Sequence, residues 1–386
     1  MGRRKRTQPR DVVLEAQAAA YLSSQGSDQA RVAELLGVSQ GEVSRLLRQA
    51  RREGWLQVRC VLPPGALARI EQAVFPAREQ VRARLDHEAD AHDAPRVRGV
   101  RVVAAGAGES ADYDERLRGF GRAAAARLQE LFPAMRLAGV AWGRTIAHVV
   151  EGLRQLNPRP PGLPAPVQFV PLTGEPLAYP DPETSSSTLA HRLIEVVSGG
   201  AAPFVSLAAV PAFIPAKYSR PGREVIRDFI AEIAGYRVIF ARRDEQGRPQ
   251  VPLADRLDTI VTAVGTVSTE VSGRLLDDRM EAEGITKEQL RRRVIGDIGG
   301  VFLPREARDP VVRGINERWT GVRLEHLARC ARAAREASGE RPPPGVVVLA
   351  AGAVKAPVVL ACVRAGLASE LILDHELARA LIDGPD

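Results

Sequence analysis

The chain has 386 residues, 45% of them hydrophobic and 26% charged, with a formal net charge of +7 at pH 7. That apolar content is ample for a packed core and argues against global disorder, while the length fits two domains better than one. Three cysteines with no paired spacing, Cys60, Cys330 and Cys362, argue against a disulfide framework and suit a reducing cytosol.

The opening run Gly2-Arg3-Arg4-Lys5-Arg6 is basic and is succeeded by polar Gln8-Pro9-Arg10-Asp11, so no apolar signal segment is expected there. Three helical patterns precede residue 55. The first runs from Val12 to Leu22 and ends at the Ser23-Ser24-Gln25-Gly26 turn. The second is capped by Ser27 or Asp28, carries Val32, Leu35 and Leu36, and stops at Gly37. Ser39 and Glu42 then form a Ser-x-x-Glu capping box. Behind it Val43, Leu46, Leu47 and Ala50 make an apolar stripe, with Gln40, Ser44, Arg45, Arg48 and Arg52 on the remaining face. This is the pattern of a helix-turn-helix whose second helix enters the major groove of double-stranded DNA. Gln40, Ser44 and Arg45 are the candidates for base contacts; Arg48, Arg51, Arg52 and the first arginines suit phosphates. Trp55 to Val61 reads as a short strand, a wing or a dimer edge.

Pro63-Pro64-Gly65 breaks the pattern, so residues 1–62 are expected to form an all-α or winged DNA-binding domain with a basic arm. Residues 63–95 are a linker or connecting helix, or hold the first helix of the large domain. Residues 96–386 alternate strand and helix patterns. Strands are expected at Val100–Ala105, Leu137–Ala141, Val167–Leu172, Phe204–Ala209, Arg237–Phe240, Thr259–Val264, Gly345–Ala350 and Glu370–Leu373. Helices are expected at Phe120–Phe132 and Thr145–Leu153. Such alternation implies an α/β domain with a largely parallel sheet, whose ligands bind beyond the C-terminal strand ends. The apolar stretch Gly345–Cys362 is interrupted by Lys355 and Pro357 and reads as strand and helix, not a membrane span.

Several strand ends carry suitable chemistry. Gly143, Arg144 and Thr145 open a helix directly after a strand, a ready anion site. Thr173-Gly174 comes after another strand, with the hydroxyl cluster Ser185 to Thr188 downstream; those hydroxyls also suit a helix cap. Gly265-Thr266 ends a third. In Gly296-Asp297-Ile298-Gly299-Gly300 the Asp297 carboxylate is offered to sugar hydroxyls, and Lys355 after Gly345–Ala350 is a counter-charge for a phosphate. His87 and His92 are five apart, on different helix faces, and the other histidines are scattered, so neither a metal nor a cofactor is expected.

The order and spacing of these segments resemble the SorC family of bacterial sugar-responsive regulators, also described as DeoR-like, over nearly the whole chain. The resemblance rests on Val38 to Leu47 and Ala50 to Gly54 in the head. In the large domain it rests on Gly139 to Thr145, Val294 to Gly300, Ala350 to Lys355 and Leu371 to Leu381. It implies an effector domain similar to the sugar-phosphate isomerase and deaminase group, including the glucosamine-phosphate deaminases, ribose-phosphate isomerases and CoA-transferase-like folds. It also implies a phosphate at Trp142–Thr145 and Lys355, sugar hydroxyls at Asp297, and dimers of dimers. Thr173-Gly174-Glu175-Pro176 stands where many relatives have a longer Gly-rich stretch, and Glu175 pointing inward would repel a phosphate.

The sequence thus reads as a cytoplasmic, non-enzymatic transcription regulator, a homodimer or homotetramer, with operator DNA and a sugar or sugar phosphate as partners. Two rivals stand beside it. An isomerase- or deaminase-like enzyme with an added head would draw on Asp297, Asp374 and His375 as acid and base. A ligand-independent DNA-binding oligomer would use the large domain only to assemble.

Overall fold

The computed structural model describes residues 11–56, 77–104, 113–156, 166–177, 182–267 and 274–384. The basic arm, Cys60, Pro63–Gly65 and all but the first two residues of the Trp55–Val61 segment lie outside them. The chain divides into two compact units, Met1–Leu67 and Ala68–Asp386.

The small unit holds helices α1 (Val12–Ser24), α2 (Gln29–Leu36) and α3 (Gln40–Arg52). Each starts where a short polar side chain accepts an N–H that the first turn leaves without an intrahelical acceptor: Asp11 from Leu14, Asp28 from Arg31, Ser39 from Glu42. Gly37 ends α2 at φ +66°, where a Cβ would be strained, and turns the chain into α3. Ala16 and Ala19 of α1, Val32 of α2, and Val43, Leu46 and Leu47 of α3 close a small core, as the spacing on α3 predicts.

The large unit begins with α4 (Ala77–Ala91), whose Val81, Leu85 and Ala89 are buried in its main core. The segment 63–95 therefore contributes a helix to this unit, which starts ahead of residue 96. The strands are β1 (Gly99–Val103), β2 (Leu137–Val140), β3 (Gln168–Pro171), β4 (Thr259–Gly265), β5 (Val294–Ile298), β6 (Val301–Pro304), β7 (Gly345–Ala350) and β8 (Glu370–Asp374). They lie in the order β1-β8-β7-β4-β2-β3, all parallel, and β5 and β6 extend β4 as an antiparallel hairpin.

Helices α5 (Tyr113–Gln129), α6 (Arg144–Leu156) and α7 (Ser186–Ser198) pack on one face with Val140, Phe169, Val347 and Ile372. After α8 (Arg220–Glu232), α9 (Ala234–Phe240), α10 (Leu253–Arg256), α11 (Arg274–Glu283), α12 (Lys287–Arg293) and α13 (Pro310–Glu317) come α14 (Leu324–Glu336), α15 (Ala356–Arg364) and α16 (His375–Asp383). These last three cover the other face together with α4. Burial from both sides explains why β7 reads Gly-Val-Val-Val-Leu-Ala without polar alternation. The mixed α/β class with a large parallel sheet is as the sequence implies. No helix among the described residues is long and apolar enough to cross a membrane.

Two expected strands are absent. Phe204–Ala209 is irregular: Leu207 N–H goes to Ser187 Oγ and Ala208 N–H to Ser206 Oγ, so hydroxyls replace a ladder partner. Arg237–Phe240 is the end of α9, its Ile239 buried in a satellite core with Leu207 and Ile230, so packing overrides β-propensity. The β5–β6 hairpin is not among the expected strands, although Gly299 and Gly300, at φ +59° and +89°, are the two-residue turn such a hairpin favours.

Candidate functional site

Between β2 and β4 the connections leave the sheet in opposite directions, because β2 leads outward to β3 while β4 leads back toward β7. That reversal is where an open parallel sheet leaves a crevice beyond its carboxyl ends. A cavity of about 500 Å³ lies there. Its walls come from the turns after β2, β3, β4 and β7 and from the β5–β6 hairpin. Of the residues singled out in the sequence, Gly143, Arg144, Thr145, Gly265, Asp297 and Lys355 all line it. Thr173 does not; it is fully buried, its hydroxyl has no hydrogen-bond partner, and Gly174 takes its place in the wall.

The β2 side is built on backbone. Gly143 sits at φ +114°, donates to Thr184 O at 3.0 Å, and accepts the first helical bond of α6 from Ala147 N–H. The first-turn N–H groups ahead of Ala147 have no intrahelical acceptor, and the α6 dipole adds positive potential at this end. Thr145 is buried beside them. Arg144 does not reach into the cavity as a lone cation: its guanidinium lies 3.4 Å from Asp114 Oδ1 and 5.1 Å from the centre of the Tyr113 ring, both cavity residues.

The β3 side carries an acid. Glu175 lines the cavity and accepts a 2.5 Å bond from Ser185 Oγ, while Ser185 also caps α7. Ser186 and Ser187 are structural: Ser186 donates to Val140 O and accepts from Leu172 N–H, and Ser187 holds Leu207 N–H. The hydroxyl cluster is thus mostly caps and braces, with Ser185 and Ser186 at the cavity edge.

The hairpin side is electrostatic. Asp297 accepts from Gly300 N–H at 3.0 Å. Burial raises its carboxyl above the usual range, against the lowering effects of the Gly300 bond and of Arg279 and Lys355. Gly265 leaves room opposite it: a Cβ there would stand 2.0 Å from Asp297 Oδ2, so the carboxylate would have to move. Lys355, in the short turn ahead of α15, is 3% exposed.

Arg279 of α11, which sequence reasoning missed, is also 3% exposed. It donates to Gly300 O and Ile315 O at 2.5 and 3.2 Å and stacks on Phe302 and Trp319, 4.2 and 4.8 Å from their ring centres. Desolvation lowers its pKa to about 10. Its Nε–H and the Trp319 indole N–H are both buried without an acceptor, and both residues line the cavity. Nothing in the charged sequence around Arg279 distinguishes it from a solvated helix face.

Asp374 lies outside the cavity. It caps α16 through Leu377 N–H and takes Gly352 N–H at 3.1 Å, a structural brace between the β7 and β8 ends. Among the described residues no cluster of His, Cys, Asp and Glu fit to hold a metal occurs. Cys330 and Cys362 are buried, which pushes both thiols up.

On α3, Gln40, Arg45, Arg51 and Arg52 are exposed and Ser44 and Arg48 half-buried, so all six candidates stand off the buried stripe. The Glu42 carboxylate meets the Arg45 guanidinium.

Cavity and fold define a class. Residues 84–220 match the family model described as "Putative sugar-binding domain". The chain is 25% identical over 225 residues to the transcriptional regulator LsrR of Enterobacter sp. (strain 638), covering 54% of this chain and 62% of that relative's length. The full-length sorbitol operon regulator SorC from Klebsiella pneumoniae has the same fold, with TM-score 0.52, 17% identity, and coverage of 96% of this chain and 99% of that one. So does a DeoR family transcriptional regulator from Listeria monocytogenes, with TM-score 0.51, 18% identity, and coverage of 79% and 99%. These likenesses bear out the SorC-type resemblance in the sequence: the chain is similar to sugar-binding transcriptional regulators.

Proposed function

We propose that the protein is a transcription regulator whose small unit reads operator DNA through α3 and whose large unit binds a sugar or sugar phosphate in the cavity at the strand ends. The observation that carries the ligand reading is the composition of that cavity. The α6 N-terminus, Lys355 and Arg279 favour an anionic group, while Asp297, Glu175 and Ser185 supply acceptors and a hydroxyl for a polyol. In this reading α2 and α3 form a helix-turn-helix, with Gln40, Ser44 and Arg45 at bases and Arg48, Arg51 and Arg52 at phosphates. Paired copies, as a homodimer or homotetramer in the cytoplasm, bind half-sites and release or hold them according to ligand. A coupling of about 1–3 kcal/mol, roughly 5–150-fold in operator affinity, is typical of such linkage. The large unit takes the isomerase- and deaminase-like form that the family resemblance implies. Repression relieved or reinforced by ligand needs no metal, cofactor or catalytic step.

The test is thermal shift of the pure chain against sugars and sugar phosphates, because a ligand that binds only the native state raises the melting point by mass action. A phosphosugar hit lost in Lys355→Ala supports the sensor. Silence across the panel, or operator affinity unmoved by a sugar that demonstrably binds, overturns it. Turnover of a phosphosugar by the pure chain would favour the enzyme reading, for which Asp297, and neither Asp374 nor His375, lines the cavity.

A further inference from the structure

Helix α1 is apolar on both faces. Its inner face buries Glu15, Ala16, Ala19 and Ala20. The outer face repeats at i, i+3, i+4 and i+7 as Leu14, Gln17, Ala18 and Tyr21, with Leu14 61% and Tyr21 66% exposed and Val13 beside them at 49%. The helix has a single charged residue, Glu15, and it faces inward. A helix that lies on a surface carries charge on its outer side, as α3 does, and one that is apolar all round has a second neighbour. We propose that this outer face is where a second copy of the chain docks, α1 against α1, pairing the two small units.

The chemistry of the face selects that occupant. A charged partner would bury its charge against a surface that offers none in return, at a desolvation cost with no ion pair to offset it. An identical face brings no like charges together. Gln17 meets its own symmetry copy, and a carboxamide is both donor and acceptor, so two of them satisfy each other. Ala18 in the middle of the stripe lets the two backbones come close.

The geometry adds a consequence that rests on the proposed DNA reading. Within the unit α3 packs on the inner face of α1, so a partner on the outer face leaves the two α3 helices on opposite sides of the pair. Three helix-to-helix steps of 8–10 Å separate them by about 24–30 Å. That axis separation is shorter than, but of the same order as, the repeat of roughly 34–36 Å between half-sites one DNA turn apart.

The experiment uses the full-length chain with Cys60→Ser, which leaves the buried Cys330 and Cys362. Ala18→Cys is compared with Glu34→Cys, an exposed control on α2, under mild oxidation. Ala18→Cys is expected to form a covalent dimer at least tenfold faster than the control. Equal rates, or an Ala18→Cys thiol that neither cross-links nor reacts with maleimide, overturn the proposal. Tyr21→Glu, on the exposed face, is expected to abolish rapid cross-linking in the Ala18→Cys background; unchanged cross-linking also overturns it. DNA binding is read separately: a chain that cross-links at Ala18 but binds no DNA keeps the pairing and sinks the DNA reading.

Discussion

The β2–α6 wall and the hairpin wall of the cavity both favour an anionic group, and they do so by different physics. At Gly143–Thr145 the donors are backbone N–H groups at a helix start, fixed by a glycine at φ +114° and needing no side chain. Across the cavity the same polarity comes from Lys355 and Arg279, cations stripped of water and set against Asp297. The first wall is simple to build and modest in strength. The second is strong because the local dielectric is low, and for the same reason it is costly to disturb.

Arg279→Ala should show that cost most clearly. It leaves the Gly300 carbonyl without its Arg279 donor, takes one of two donors from Ile315 O, which keeps Arg318 N–H, and removes the cation from the Phe302 and Trp319 rings. With one stranded carbonyl at about 1–3 kcal/mol and desolvated cation–π contacts at roughly 2 kcal/mol, the expected loss is on the order of 3–4 kcal/mol, read as a lower urea midpoint. Arg279→Lys should recover little of it, because an ammonium lacks the fork that reaches both carbonyls. A variant within about 0.5 kcal/mol of the parent would mean the hairpin wall does not depend on this cation.

Lys355→Ala probes the same wall without that structural load. The expected loss is ligand affinity, roughly 10–100-fold if one charge-assisted bond of about 1.5–3 kcal/mol disappears, with operator binding by the ligand-free chain unchanged. Isothermal titration with the phosphosugar found by thermal shift, beside gel-shift titration of the operator, separates the two. Loss of folding instead would make Lys355 a structural residue.

The contrast also explains what is legible in the sequence. Caps, glycines at strand ends and unbroken apolar strands are local signals, and Ser39, Gly37, Gly143 and β7 all stand as their neighbours in sequence predict. Arg279 sits in an Asp-Asp-Arg-Met-Glu run that looks solvated; only the arrival of Trp319 and Phe302 from distant segments makes it a cavity residue. Thr173 fails the other way. Its strand-end position suggests a ligand contact, but the wall residue is the next one, Gly174, packed so closely on a neighbouring segment that a Cβ would stand 2.1 Å from Val210 O. Phe204–Ala209 and Arg237–Phe240 carry strand-like composition whose outcome is set by tertiary partners, Ser187 in one case and the Leu207 cluster in the other.

Gly143→Ala tests the backbone wall in isolation. A Cβ there meets nothing within 4 Å, so the only penalty is forcing an alanine to φ +114°. About 1–3 kcal/mol of strain is expected, either as lost stability or as a relaxed turn that no longer aims the α6 N–H groups. The relaxed turn would show as weaker ligand binding at near-parental stability, and a neutral outcome in both would deny this wall a role.

The smallest effect is expected from Asp297→Asn, and it should depend on pH in a direction fixed by burial. The folded carboxyl titrates above its ordinary value of 3.8 because the cavity disfavours the charged form. The native state therefore binds this proton more tightly than the unfolded chain does. The penalty is fully present above the folded pKa and disappears as pH falls through that value toward 3.8. Asparagine keeps an acceptor for Gly300 N–H and has no charge to bury, so the variant should be the more stable one near neutrality, with its advantage shrinking on acidification. Denaturation midpoints of the two proteins from about pH 3.5 to about pH 7.5 decide it, since their difference cancels the titration of every other carboxylate. An advantage that grew toward low pH would mean that Lys355 and Arg279 outweigh burial, and the hairpin wall would then be an ion-pair network already satisfied from within.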